Sequence, residues 1–282
     1  MENIKEGYIF MGFGKKYVDE CQLCAEMIDA YDKDRPKAIL TNKADYEYAK
    51  TKEVFDDIIV LDYETEKYLK DEKNSHNLYC VIPRILMSDI IPYEKTLAID
   101  SDIACIANPN RMWDYINEKN EPFVCCGYDY LASWHWGKVA QVDKKVGKKI
   151  PAIHGGLLCF NKGHENYKKF RDDCFDALDN YADYGCLTQF RGGMTDEVIF
   201  AIAMAKNNIT PMDYVEYPVV SFNLPFEVGL PCHFHTINGL KRNTWVKCNK
   251  PIMFNHLFFH ERNNQRLYND FLNFHKKITN GI

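Results

Sequence analysis

Nowhere in the sequence do about 20 apolar residues run uninterrupted, the length a helix needs to cross a bilayer. The opening MENIKEGYIF carries acidic side chains and no apolar core, so it does not read as a secretory leader. Both absences lead to the expectation of a cytoplasmic chain without a transmembrane anchor. An excess of basic charge is lacking too. Thirty-five Lys and Arg stand against 40 Asp and Glu, a formal net charge of -5, which leaves no electrostatic footprint for nucleic acid. There is no internal repeat or low-complexity linker, and Gly12 and Gly14 in FMGFGKK do not make the GxGxxG dinucleotide fingerprint.

Cysteine is plentiful by contrast. Eleven cysteines, an odd number, are scattered through apolar contexts such as FVCCGY and LLCFN, the placement of reduced thiols used as small core residues. Disulfides are not expected. Cys21 and Cys24 have a metal-like CxxC spacing, but no second CxxC completes a zinc site, and YVDECQLCAEMIDAY has helical apolar periodicity. Their expected place is the buried face of a helix.

A chain of 282 residues with 46% hydrophobic and 14% aromatic content buries one substantial core. Its first hundred residues alternate β-rich runs with helical patterns: GYIFM, a helix around 15–31, KAIL, a helix near 44–54, DIIVLD, a helix opened by Pro83, and TLAID. That alternation predicts βαβ units and an α/β fold whose mostly parallel sheet is covered by helices on both faces. QVDKKVGKKI reads as a surface loop, and HGGLLCFNKG as a strand flanked by glycines. A charged amphipathic helix runs through HENYKKFRDDCFDALDNYA. Thr195 is placed to cap a helix that begins at Asp196 and Glu197. A short strand ends near Asn255 and His256, and a final helix reaches about 277. One domain with two lobes is expected, 1–108 and 109–282.

TLAIDSDIACI puts Asp100 and Asp102 where an apolar strand runs out, the end of a parallel sheet at which ligands bind. On a regular strand, residues i and i+2 share a face, so the two carboxylates repel unless something compensates them. A bound dication does so, and hard oxygen ligands suit Mn²⁺ or Mg²⁺ bridging to a substrate's phosphates. His233 and His235 in PCHFHTI have a similar i, i+2 spacing and are a weaker metal candidate.

The stretch RILMSDIIPYEKTLAIDSDIACIANP resembles the helix, strand, Asp-x-Asp and Asn-Pro block of GT-A fold nucleotide-sugar glycosyltransferases. It is most similar to glycosyltransferase family 8, which includes glycogenin and bacterial galactosyltransferases. Weaker likenesses follow in the same order along the chain: HGGLLCFNKG, TDEVIF and IMFNHLFFHE. The resemblance implies the GT-A (Rossmann-like) fold, with 1–108 as the nucleotide-sugar-binding lobe and 109–282 as the acceptor-binding and catalytic lobe. It also implies transfer of a hexose from a UDP-sugar to an acceptor hydroxyl, with retention of anomeric configuration. The acceptor is a glycan, a lipid-linked glycan or a protein, and a homodimer is left open.

Residue by residue, the resemblance implies that Asp100, Asp102 and His256 hold the metal, with His260 a rival to His256. Gly12, Phe13, Tyr17, Arg84, Asp100, Ser101, His154, Gly155 and Gly156 would line the donor site. Asp196 and Glu197 would be the catalytic or sugar-contacting acids. Two positions depart from the family. His154 replaces an asparagine, which changes a contact to the donor sugar, and Glu197 replaces an amide, which adds a carboxylate able to act as a nucleophile if it faces the anomeric carbon. In GYDYLASWHWGK, Tyr128, Asp129, Trp134 and Trp136 suit an acceptor sugar, whose C–H faces lie on aromatic rings while a carboxylate takes its hydroxyls. Two other classes remain beside the transferase: a sugar-nucleotide-binding protein without activity, and a metal-dependent nucleotidyltransferase or phosphohydrolase.

Overall fold

The computed structural model describes residues 5–62, 74–130, 139–187, 192–213, 220–222, 233–238, 241–247, 253–257 and 265–281; of 220–222, 233–238 and 241–247 only the backbone is described. The N-terminal part runs β1 (Glu6–Met11), α1 (Lys15–Asp29), β2 (Lys37–Asn42), α2 (Tyr46–Lys50) and β3 (Asp57–Leu61). A π-helical turn (Asn77–Val81), α3 (Ile82–Ile90), β4 (Lys95–Ile99), β5 (Ile103–Cys105) and α4 (Asn110–Lys119) follow. Next come β6 (Phe123–Tyr128), α5 (Val139–Val146), β7 (Ala152–Asn161), α6 (Tyr167–Asp179), α7 (Asp196–Asn207) and β8 (Met212–Asp213). The remainder holds β9 (Val220–Phe222), β10 (His233–Asn238), β11 (Lys241–Lys247), β12 (Phe254–His256) and α8 (Gln265–Thr279).

A mostly parallel seven-stranded sheet has the order β3-β2-β1-β4-β7-β6-β8, as the βαβ alternation predicts. Its inner strands are near-continuous apolar runs because both faces are covered: all ten residues of β7 are buried, whereas the edge strand β3 is buried only at Leu61. A smaller sheet has the order β5-β12-β9, and β10 pairs with β11.

The chain divides into two compact units that interleave along the sequence. One comprises 1–5, 61–97 and 120–213; the other 6–60, 98–119 and 214–282. The first is built around stacked phenylalanines: Phe123 lies 4.7 Å from Phe170 and 5.1 Å from Phe200, with Phe160 edge-on to Phe200 at 5.8 Å. In the second, Trp113 packs edge-on against Tyr8 at 5.4 Å, and its Nε1–H donates to the Tyr8 hydroxyl, which donates in turn to Asp32. The buried polar groups there form a closed chain, which removes the cost of desolvating them. The apolar face of α8, Phe271, Phe274 and Ile278, is buried in the same unit.

Four local expectations are corrected. Of the expected loop QVDKKVGKKI, 141–146 belong to α5 and only 147–150 lie outside it; Lys144 and Lys145 stand in the last turn, where positive charge favours the helix dipole, and Gly147 ends it at φ +74°. Pro83 does not open its helix. The helical path is continuous from the π-helical turn into α3, and the wider turn lies just ahead of the residue that lacks an N–H and crowds the carbonyl four back. The helix near 44–54 is shorter, Tyr46–Lys50. Thr195 does occupy the N-cap of α7 with extended backbone, but its side chain makes no capping hydrogen bond; its N–H is held by the Tyr181 hydroxyl.

The nine cysteines among the described residues are free thiols, and Cys21 and Cys24 lie on the buried face of α1. Burial, chiefly, with the Glu20 carboxylate next for Cys21 and the Cys21 and Asp102 groups next for Cys24, pushes both thiols well above their ordinary range. They stay protonated at neutral pH, where the thiolate is the reactive form. In peptide mapping after alkylation at pH 8, Cys21 and Cys24 should remain unlabelled in the folded protein and label fully in denaturant. Rapid labelling of either in the native state would contradict this.

Candidate active site

Asp100 and Asp102 do not lie on a regular strand, which corrects the same-face argument. They sit in a tight turn, residues 100–102, between β4 and β5, closed by Ile103 N–H donating to the Asp100 carbonyl at 3.2 Å. The pair is brought together with His256 by strand pairing: β12 runs antiparallel to β5, with His256 opposite Ile103, and Leu257 N–H donates to the Asp102 carbonyl at 3.0 Å. His256 Nε2 then stands 2.9 Å from Asp102 Oδ1, with both side chains buried.

One ligand atom from each of Asp100, Asp102 and His256 lies within 4.8 Å of the other two. Donors that share one dication at about 2.0–2.2 Å stand no more than about 4.4 Å apart, so shifts of a few tenths of an ångström complete the set. Two carboxylate oxygens and an imidazole suit Mn²⁺ or Mg²⁺, the nitrogen favouring Mn²⁺. The residues fit a divalent ion.

In the same unit, the turn after β1 is shaped for close approach. A side chain on Gly12 would meet Val18 backbone at 3.2 Å and Ile39 at 3.1 Å; Gly14 takes φ +101°, where other residues are strained. The Thr41 hydroxyl donates to the Gly12 carbonyl at 2.6 Å, and Asp45 accepts the Gly14 N–H at 2.7 Å. Neither Thr41 nor Asp45 was marked by its sequence context. Phe13 is buried and Tyr17 is 41% exposed, so Tyr17 is a surface ring and not a core one. Ser101 is half-buried within the turn.

The other unit holds a second polar cluster, on α3, β7 and α7. Pairing of β6 with β7 jumps from Cys125 opposite Leu158 to Gly127 opposite Ile153, so 154–157 bulge against Cys126. Bulges re-aim backbone groups at such positions. Gly155 N–H donates to Glu197 Oε1 at 2.8 Å, and the Gly155 carbonyl accepts from Arg84 Nη1 at 3.1 Å. The same Nη1 pairs with Asp196 Oδ2 at 2.7 Å; both side chains are 14% exposed. Three side chains predicted separately, Arg84, Asp196 and Glu197, thus converge on one glycine. His154 beside it is buried, and so is Gly156.

A methyl group at Gly155 would meet Arg84 Nη1 at 3.1 Å, Glu197 Cγ at 3.2 Å and Asp196 Oδ2 at 3.3 Å. Gly155→Ala is therefore expected to part the cluster. It should lower kcat/KM by about 10²-fold, since displacements of about 1 Å cost that much, and lower stability by about 1–3 kcal/mol through overpacking. Steady-state kinetics beside urea unfolding check both, and unchanged kinetics would show that the cluster takes no part in turnover.

Asp129 is exposed just beyond the end of β6. Tyr128 is half-buried, and burial with the nearby Asp213 pushes its hydroxyl up to about 12. Trp134, Trp136 and His260 lie outside the described residues. His233 and His235 lie on β10, opposite Lys247 and Trp245 of β11.

No protein-family profile and no curated protein matches the chain. Solved structures do. The galactosyltransferase LgtC in complex with donor and acceptor sugar analogs matches with TM-score 0.57 and 14% identity, over 95% of this chain and 95% of that one. Mouse xyloside xylosyltransferase 1, in its apo form, matches with TM-score 0.56 and 12% identity over 90% and 97%. A glutamine-to-glutamate active-site mutant of LgtC matches with TM-score 0.56 and 14% identity over 94% of each chain. Identities this low establish the architecture, which is the GT-A fold of glycosyltransferases.

Proposed function

We propose that this GT-A-fold chain is a metal-dependent glycosyltransferase that moves a hexose from UDP-hexose to an acceptor hydroxyl with retention of configuration. The observation that carries this reading is the Asp100, Asp102 and His256 set at the end of β4, in a fold whose solved relatives are glycosyltransferases. Asp100, Asp102 and His256 would hold a dication, which would supply Lewis-acid stabilisation of the departing diphosphate.

The chain's own residues account for the rest. The Gly12–Phe13–Gly14 turn, held by Thr41 and Asp45, brings backbone close to the nucleotide, and the exposed ring of Tyr17 stacks on its base. Arg84 orients Asp196 through their 2.7 Å contact, so the pair offers the donor sugar a donor beside an acceptor. Glu197 has one oxygen committed to Gly155 N–H, which sets its rotamer and fixes the β7 bulge. It serves the reaction by placing this cluster. The acceptor's hydroxyl proton passes to the leaving phosphate oxygen on the same face as attack, consistent with retention. Asp129, with Trp134 and Trp136, forms the acceptor contact.

Incubation with a panel of nucleotide sugars and Mn²⁺ tests the proposal through released nucleoside diphosphate. Release from a UDP-hexose, rising with a saccharide acceptor and stopped by EDTA, is the expected result. Metal-dependent binding with no release from any donor would make the chain a binding protein, and pyrophosphate released from a nucleoside triphosphate would make it a nucleotidyltransferase.

A further inference from the structure

The turn that carries the two aspartates rests on α1, and the side chain beneath it is Cys24, buried to 1% exposure. Its Sγ lies 3.0 Å from the Ile103 carbonyl oxygen, 3.2 Å from that of Ser101 and 3.9 Å from that of Asp100. A thiol has one proton, so the donation is shared chiefly between the two nearer oxygens. Those two carbonyls bracket Asp102: the Ser101 carbonyl belongs to the peptide whose nitrogen is that of Asp102, and the Ile103 carbonyl opens the following strand.

We infer that Cys24 is a positioning residue for the metal turn, its thiol clamping the peptide planes that aim the Asp102 carboxylate. This rests on the glycosyltransferase reading of that turn. The energy of an S–H donation is small, but the lever is long. A rotation of about 20° in the 101–102 peptide, carried over the roughly 3 Å from Cα to the carboxylate oxygen, moves that oxygen by about 1 Å, a displacement large enough to matter at a reacting centre. From the other side Leu257 N–H holds the Asp102 carbonyl, so the turn is gripped by both α1 and the segment after β12. Cys21 provides the contrast. It is equally buried on the same helix, one turn earlier, but its backbone hydrogen bond is with Met11 at the end of β1.

Mn²⁺ titration of nucleotide-free protein, followed by the electron paramagnetic resonance signal of free Mn²⁺, tests the inference together with thermal melting. Cys24→Ala should weaken Mn²⁺ binding about tenfold, the low end for loss of a group that supports a metal ligand. Cys24→Ser, which keeps a donor, and Cys21→Ala, which removes the same volume one turn away, should stay within about threefold of the natural protein. Unchanged affinity in Cys24→Ala overturns the inference. So does an equal loss in Cys21→Ala, which would mean packing alone, or an equal loss in Cys24→Ser. Should Cys24→Ala melt below the titration temperature, Cys24→Val, volume-filling and without a donor, takes its place. A natural protein that binds no Mn²⁺ overturns the glycosyltransferase reading itself, a result distinct from variants that bind like it.

Discussion

Asp102→Asn is expected to cut Mn²⁺-dependent release of nucleoside diphosphate by on the order of 10³-fold, the scale of losing a principal charge-stabilising group in a transition state. The side chain keeps its shape, and the amide oxygen still accepts from His256 Nε2, 2.9 Å away in the natural protein, so the fold should persist. Stability without metal should hold or rise, because Asp100 loses an anionic neighbour. What should vanish is stabilisation by metal. A ligand at about 100 times its dissociation constant adds about 2.7 kcal/mol to the native state. The natural protein should therefore melt higher with Mn²⁺ and the variant should not. Melting curves with and without Mn²⁺, beside the release assay, decide the matter. A variant that retains both activity and the shift would remove Asp102 from the site.

Arg84→Ala should have the next largest effect, and on two quantities. Asp196 and the Gly155 carbonyl both lose their donor in a region where each member of the ion pair is 14% exposed. Breaking a fully buried pair costs about 3–5 kcal/mol, and partial exposure lowers that to about 2 kcal/mol here. Turnover should fall by about 10²–10³-fold. The double variant Arg84→Ala with Asp196→Asn separates the two, since removing both charges should recover most of the stability in urea unfolding while activity stays low. Recovery of activity with stability would reduce the pair to a structural role.

Much of the architecture was legible along the chain because hydrophobic periodicity is local. The runs GYIFM, KAIL, DIIVLD and TLAID are strands, and the Cys21 and Cys24 stretch is a buried helix face, as their patterns predict. The lysine-rich segment hides its helix for a physical reason: charge marks a solvated face, and α5 has one beside the buried Val139 and Val142. Pro83 stands in the first turn of α3, where proline is favoured, but the π-helical turn ahead of it, which no local pattern marks, carries the helical path further back.

By itself the sequence determined the alternation of strands and helices over the first hundred residues, the acidic pair at a strand's end and the burial of the Cys21 and Cys24 thiols, since each follows from residue type and spacing among near neighbours. Tertiary structure alone decided that His256 faces Asp102, that Gly155 gathers Arg84, Asp196 and Glu197 around a bulge, and that Cys24 lies under the aspartate turn. Those relations join residues far apart along the chain. Their distances are set by strand register and helix packing, which depend on the whole core and on no single segment.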